Sequence, residues 1–191
     1  MKSTIVKNGE IVLDEYFLKK EEADLLFDLF QVSLPFHQGS IKLFGRTHLI
    51  PRLEAFFATE KKNYSYSGKT LQTHSFTREL VELKEKIEKV CEAKFNCVLV
   101  NLYRNGQDSN GWHADDEPEL GKNPIIASLS LGSMRRFDLK HNQTKEKISF
   151  DLINGSLLVM KGSMQHFWKH QIAKTKKVNE PRINLTFRYI Y

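Results

Sequence analysis

Arg182-Ile183-Asn184-Leu185-Thr186-Phe187-Arg188 alternates strictly between polar and apolar residues. Period-two alternation is the pattern of a β-strand, whose successive side chains point to opposite faces. Arg182, Asn184, Thr186 and Arg188 therefore share one face, and Ile183, Leu185 and Phe187 share the other. The apolar face requires a core on its side. The polar face has two readings. Taken alone it is the solvated outside of an edge strand. Alternatively it is a wall whose two guanidiniums meet a dianion, because Arg forks match carboxylate or phosphate oxygens bidentately.

Working upstream, strand patterns recur at residues 97–103, 125–131, 136–141, 147–153, 156–161 and 167–173, and the closing strand extends over 182–190. Turn signals separate them, including Asn105-Gly106, Asn142-Gln143 and Asn154-Gly155. Before residue 96 the period is helical. Ala23, Leu26, Phe27 and Phe30 mark a helix over 21–31, and Leu80, Leu83, Ile87, Val90 and Cys91 mark one over 77–94. Helices followed by consecutive short strands predict an α+β fold whose strands close into a two-sheet jelly roll. Leu34-Pro35 breaks the first helical pattern, and short strands are expected around 41–44 and 64–66. That stretch reads as a separate flap.

At 191 residues the chain suits one compact unit. Apolar residues make up 40% and charged residues 27%, and no run is long enough to span a membrane. The first ten residues lack an export signal, so cytoplasmic residence is expected, or nuclear residence in a eukaryote. Cys91 and Cys97 lack the spacing of a redox pair or zinc knuckle and read as reduced, partly buried thiols. A net charge of +6 favours a polyanionic partner, with Lys61-Lys62, Arg135-Arg136 and Lys174 with Lys176-Lys177 as contributors.

The candidate chemistry lies in Trp112-His113-Ala114-Asp115-Asp116-Glu117. On an extended segment the i, i+2 spacing puts His113 and Asp115 on the same side, where an imidazole and a carboxylate can hold two cis positions of one metal ion. A third ligand must come from elsewhere. Two histidines and one carboxylate leave coordination positions open and are diagnostic of non-haem Fe(II) oxygenases, and zinc hydrolysis is a less specific reading of the same ligands. His166 and His170 both flank Phe167-Trp168-Lys169, and composition does not choose between them. Asn101 and Tyr103 share a face by the same spacing and suit a bound organic acid.

Asn101-Leu102-Tyr103, His113-Ala114-Asp115-Asp116-Glu117, Phe167-Trp168-Lys169-His170 and Arg182 to Arg188 together resemble the AlkB family of Fe(II)/2-oxoglutarate-dependent nucleic-acid dealkylases. The resemblance runs from about Pro35 to Tyr191 and is nearest to the DNA-repair branch. Leu43-Phe44-Gly45-Arg46, Pro51-Arg52 and Tyr64-Ser65-Tyr66-Ser67-Gly68 resemble its nucleotide-recognition flap. What it implies is a double-stranded β-helix core with N-terminal helices. Residues 1–191 would form a single dioxygenase domain, with a flap over about 36–70 and a catalytic jelly roll over about 97–191.

The resemblance further implies that His113, Asp115 and His170 are the iron ligands. Arg182 would pair with the distal carboxylate of 2-oxoglutarate, Arg188 would lie near its chelating carboxylate, and Asn101, Tyr103, Asn184 and Thr186 would complete the pocket. Dioxygen is the other cosubstrate. The substrate would be alkylated DNA carrying 1-methyladenine or 3-methylcytosine, with the damaged nucleotide flipped out or single-stranded. Formaldehyde, succinate and CO2 would be released.

On the substrate side, Tyr64 and Tyr66, with Ser65 between them, suit stacking on or bordering the base. Asp116 and Glu117 can accept hydrogen bonds from its exocyclic amino group. Phe44, beside Leu43 and Gly45, is a candidate wedge for the gap left in the duplex, and Arg46 and Arg52 are candidate phosphate contacts. A monomer is expected. The alternatives are an RNA demethylase of the same chemistry and a non-catalytic jelly roll that senses lesions.

Overall fold

The computed structural model describes residues 2–43, 45–59, 65–66, 69–70 and 72–191. In chain order the elements are β1 (Lys2–Val6), β2 (Gly9–Asp14), α1 (Lys20–Ser33), β3 (Ser40–Leu43), β4 (Arg46–Leu49), β5 (Leu53–Ala58), β6 (Ser65–Tyr66), β7 (Lys69–Thr70), β8 (Thr73–His74) and α2 (Arg78–Cys91). There follow β9 (Cys97–Tyr103), β10 (Asn110–His113), β11 (Ile126–Gly132), β12 (Arg135–His141), β13 (Lys147–Leu152), β14 (Leu157–Lys161), α3 (Met164–Phe167), β15 (Trp168–Ile172) and β16 (Arg182–Arg188).

An eight-stranded sheet runs β1-β2-β14-β11-β16-β9-β5-β8, and a four-stranded sheet runs β10-β15-β12-β13. Leu99, Tyr103, Ile126 and Met160 of the large sheet meet Phe137, Leu139, Trp168 and Ile172 of the small one in one core. On the far side of the large sheet, Val98, Val100, Ile183, Leu185 and Phe187 pack with Phe30 of α1 and Leu80, Leu83 and Ile87 of α2. The layers are thus helices, large sheet and small sheet, the sandwich with N-terminal helices expected from the strand pattern.

The helix ends follow local chemistry. Leu34 sits before Pro35 and takes an extended ψ of 142°, which ends α1. Thr77 caps α2 by accepting the Leu80 amide at 3.3 Å, and Glu92 closes it in the left-handed region. Glu88 then accepts the Phe95 amide at 2.8 Å and ties the helix end to the turn before β9.

The strand opened on above is not an edge. β16 lies between β9 and β11, with Arg182 opposite Tyr103 and Arg188 opposite Cys97, and all seven residues are buried. Its charged face therefore lines the interior between the sheets. Of the strands not foreseen, two carry core residues. β2 carries the core residues Ile11, Val12 and Leu13. β5 pairs with β9, so Leu53–Ala58 belongs to the large sheet, and the expected flap over 36–70 holds a piece of the core. β3 pairs antiparallel with β4, and β6 with β7, each pair forming a two-stranded sheet of its own.

Burial raises the thiols of Cys91 and Cys97, to about 11 and about 12 respectively. Native protein should resist iodoacetamide at pH 8.5, and protein unfolded in urea should take up two equivalents. An unfolded thiol ionises near pH 8.5, so the stabilisation from holding these groups neutral is fully present below that pH. It is lost as pH rises through the folded values. Urea midpoints should fall between pH 8.5 and 11, and a flat profile would contradict the burial.

Candidate metal and cosubstrate site

A pocket between the two sheets is lined by side chains from β9, β11, β14 and β16 on one side and β10, β12 and β15 on the other. β10 and β15 are antiparallel and place His113 directly opposite His170. Their ring centroids are 4.2 Å apart, edge to face. Asp115 lies two residues beyond His113, and ligand atoms of His113, Asp115 and His170 all fall within 4.8 Å of one another. Between the two candidates for third ligand, His170 is buried with the group and His166 is exposed.

The donors are prepared for a cation. The Gly111 carbonyl, 2.7 Å from His113 Nδ1, can only accept, so Nδ1 carries the proton and Nε2 keeps its lone pair. Asn110 Nδ2 donates to that Nε2 at 3.2 Å. Burial lowers His113, and burial together with the neighbouring His113 lowers His170 to about 3, so both rings are neutral at physiological pH. Burial pushes Asp115 upward, but Arg188 and the two histidines outweigh it and hold the carboxylate below its ordinary range. Arg188 grips Asp115 through Nε at 3.3 Å and Nη2 at 2.9 Å, and Gln165 Oε1 accepts the Asp115 amide at 2.9 Å. Two neutral imidazoles and one carboxylate suit a divalent first-row metal.

The opposite wall carries the polar face of β16. Asn184 Nδ2 donates to Ser128 Oγ at 2.8 Å and to the Leu129 carbonyl at 3.1 Å, and Thr186 Oγ1 donates to Asn184 Oδ1 at 3.4 Å. Arg182 Nη2 donates to Ser130 Oγ at 2.8 Å. Its Nε and Nη1 are buried without a hydrogen-bond partner among the described residues. Burial lowers Arg182 to about 10, with Arg135 adding repulsion and Tyr103 opposing it. A buried guanidinium with open donors is costly unless an anion completes it, and a carboxylate is the fitting group.

Asn101, Tyr103, Asn184, Thr186 and Arg188 line the same pocket as the histidines. Glu117 is half-buried, its Oε2 lacks a partner among the described residues, and burial raises its carboxyl. Asp116, paired with it in the sequence reading, is exposed. Arg52 is buried rather than poised for phosphate, donating from Nε to Asn101 Oδ1 at 2.8 Å. Gly45, in the left-handed region at φ 77°, and Arg46 on β4 are both exposed. Phe44 and Tyr64 lie outside the described residues, and Ser65–Tyr66 is described as a strand paired with Lys69–Thr70.

Several contributors were not anticipated. Ser128 and Ser130 alternate with Leu129 on β11 and sit opposite Thr186 and Asn184, a pattern visible in the sequence once β11 and β16 are paired. Gln165 and Asn110 had no motif to mark them. Arg135, read as part of a charged surface with Arg136, is 2% exposed.

The profile of the 2OG-Fe(II) oxygenase superfamily matches residues 10–188. The chain is 38% identical over 185 residues to "Alpha-ketoglutarate-dependent dioxygenase alkB homolog 3" of Bos taurus, covering 92% of this chain and 64% of that protein. It is 35% identical over 182 residues to "DNA oxidative demethylase ALKBH2" of Mus musculus, covering 90% of this chain and 76% of that one. The chain thus spans about two thirds to three quarters of the length of these relatives, just under two thirds for the first. The solved structure of OsALKBH1 superposes with a TM-score of 0.67 at 21% identity, over 97% of this chain and all of that one, a likeness of fold.

Proposed function

From the premise that this chain belongs to the AlkB family of the 2OG-Fe(II) oxygenase superfamily, we propose that it is a DNA repair enzyme. It would remove N-methyl groups from 1-methyladenine and 3-methylcytosine by oxidation. The observation that carries this reading is the His113-Asp115-His170 group sharing one pocket with Asn101, Tyr103, Asn184, Thr186 and Arg188, with the open donors of buried Arg182 beside the Tyr103 ring. His113, Asp115 and His170 would hold Fe(II). Arg182 would receive one carboxylate of 2-oxoglutarate, with Asn101, Tyr103, Asn184 and Thr186 bounding the cosubstrate, and Arg188 would face its other end.

When bound, Fe(II) with 2-oxoglutarate and dioxygen would supply the oxidation of an N-methyl group, whose carbon would be released as formaldehyde. The chain's own residues bind and orient. Arg188 fixes the Asp115 carboxylate from behind, and the Gly111 carbonyl fixes the His113 ring. The unpartnered Glu117 Oε2 is suited to accept from the exocyclic amino group of a methylated adenine or cytosine, whose positive charge a carboxylate favours. Positioning of this kind is the protein's main contribution when a cofactor carries the chemistry.

The reading is tested by aerobic incubation with Fe(II), 2-oxoglutarate and matched 1-methyladenine oligonucleotides of DNA and RNA, following formaldehyde and loss of the methyl mass. Faster turnover of DNA is expected. Faster turnover of RNA would move the substrate assignment to RNA, and no turnover of either with metal bound would sink the enzyme. Glu117→Gln is expected to lower kcat/KM on 1-methyladenine about tenfold or more, on the order of the 1.5–3 kcal/mol of one charged hydrogen bond, while 2-oxoglutarate binding is unchanged. Equal activity would remove Glu117 from the base contact.

A further inference from the structure

Arg135 opens β12 and is 2% exposed, yet among the described residues no carboxylate forms an ion pair with its guanidinium. Instead it donates to three carbonyls on two loops: Asn105 at 3.1 Å and Asp108 at 2.9 Å before β10, and Ala173 at 2.7 Å after β15. The same loops are joined directly, with the Gly106 amide donating to Val178 O and the Thr175 amide to Gly106 O, each at 2.8 Å. A side chain at Gly106 has no room, since a Cβ there would lie 2.2 Å from the Thr175 carbonyl oxygen. Arg135 therefore ties together the chain that leads into His113 and the chain that leaves His170.

The held guanidinium also supports the cosubstrate wall. Its centre is 5.6 Å from the centroid of the Tyr103 ring, and that of Arg182 is 5.4 Å from the same centroid. Tyr103 lines the pocket, whereas Arg135 does not. Three carbonyl acceptors on two loops restrain the Arg135 guanidinium, and the buried Tyr103 ring lies beneath it. An aromatic ring beside a desolvated guanidinium gains from the cation–π attraction as well as from packing.

We propose that Arg135 is a positioning residue for 2-oxoglutarate, acting by fixing the Tyr103 ring against the loops that flank the two metal-ligand strands. The assignment rests on the reading of this pocket as the 2-oxoglutarate site. It does not involve contact between Arg135 and the cosubstrate.

The test is calorimetric titration of the full chain with 2-oxoglutarate, loaded with Mn(II) in place of iron so that no turnover occurs. Arg135→Met is expected to weaken binding tenfold or more. Arg135→Lys keeps the charge but not the three-carbonyl fork, and should weaken binding by a smaller factor of about three or more. Arg104→Met is the control, because the half-exposed Arg104 guanidinium pairs with the Asp108 carboxylate, whereas the guanidiniums found over the Tyr103 ring among the described residues are those of Arg135 and Arg182. It should change binding less than twofold. If Arg135 acts through the ring, Tyr103→Leu combined with Arg135→Met should bind no more weakly than Tyr103→Leu alone.

Wild-type affinity in both Arg135 variants, equal weakening by Arg104→Met, or independent losses in the double variant would each overturn the proposal. If Arg135→Met does not fold, the Lys variant and the control decide by the same criteria. Failure of the wild-type protein to bind 2-oxoglutarate at all would instead sink the reading of the pocket, and this inference with it.

Discussion

Asp115→Ala is expected to unload the metal and to destabilise the metal-free protein at the same time. The first effect follows from removing one donor of a three-residue set. The second follows from the ion pair behind it, in which Asp115 and Arg188 are 1% and 3% exposed and meet at 2.9 Å. Breaking a buried pair from one side costs about 3–5 kcal/mol, because a desolvated charge loses its counter-charge. Metal content after dialysis and urea unfolding of the metal-free protein measure the two effects separately. Asp115→Asn preserves the shape and should lose the metal with a smaller stability cost. Metal retention by the Ala variant would refute the ligand assignment, and an unchanged urea midpoint would refute the role of the pair.

Arg182→Met should behave in the opposite way. Arg182 is 1% exposed, donates from Nη2 to Ser130 Oγ, and has two further donors without hydrogen-bond partners among the described residues. Without an anion this is a burdened cation, and replacing a buried charge by an apolar side chain of similar volume is often neutral or stabilising. The thermal midpoint of the cosubstrate-free variant should therefore stay level or rise. Affinity for 2-oxoglutarate should fall about a hundredfold or more, since each charged hydrogen bond contributes about 1.5–3 kcal/mol and each 1.4 kcal/mol is about tenfold in binding. A large fall in stability with binding retained would reverse the assignment. The two substitutions thus separate a group that fixes the pocket from one that awaits its ligand.

What could be read from the sequence depended on whether a residue's role was local. Apart from β10, the strands from Cys97 onward were legible because their faces differ and turn residues punctuate them. β5 was not, because Leu53-Glu54-Ala55-Phe56-Phe57-Ala58 has good helix formers and no clean alternation, being covered on both sides. Pairing with β9 overrides that propensity. β2 escaped notice for the same reason, with Ile11, Val12 and Leu13 all buried in succession. In the site, His113 with Asp115 and Arg182 with Arg188 announced themselves by their spacing along the chain. Arg135 and Ser130 did not, because their partners lie on other strands and loops. Arg52, expected as a phosphate contact, is held instead by Asn101, a partner 49 positions away that no local pattern reveals.

The position of β16 has a consequence for how the molecule assembles. β9 and β11 are joined only through β16, which pairs with β9 over all seven of its residues and with β11 from Arg182 to Phe187. Until residues 182–188 arrive, the large sheet is two fragments with unsatisfied edges facing one another, and every contact that closes the gap is distant along the chain. Such non-local closure is slow, and open edges invite pairing with other chains. Register matters as much as arrival, since a slip of one residue would turn Arg182, Asn184, Thr186 and Arg188 toward the helices and Ile183, Leu185 and Phe187 into the pocket. Completion of the sheet and creation of the pocket wall are thus one kinetic event, so a refolding population that has secondary structure but lacks β16 should be prone to aggregate and unable to bind 2-oxoglutarate.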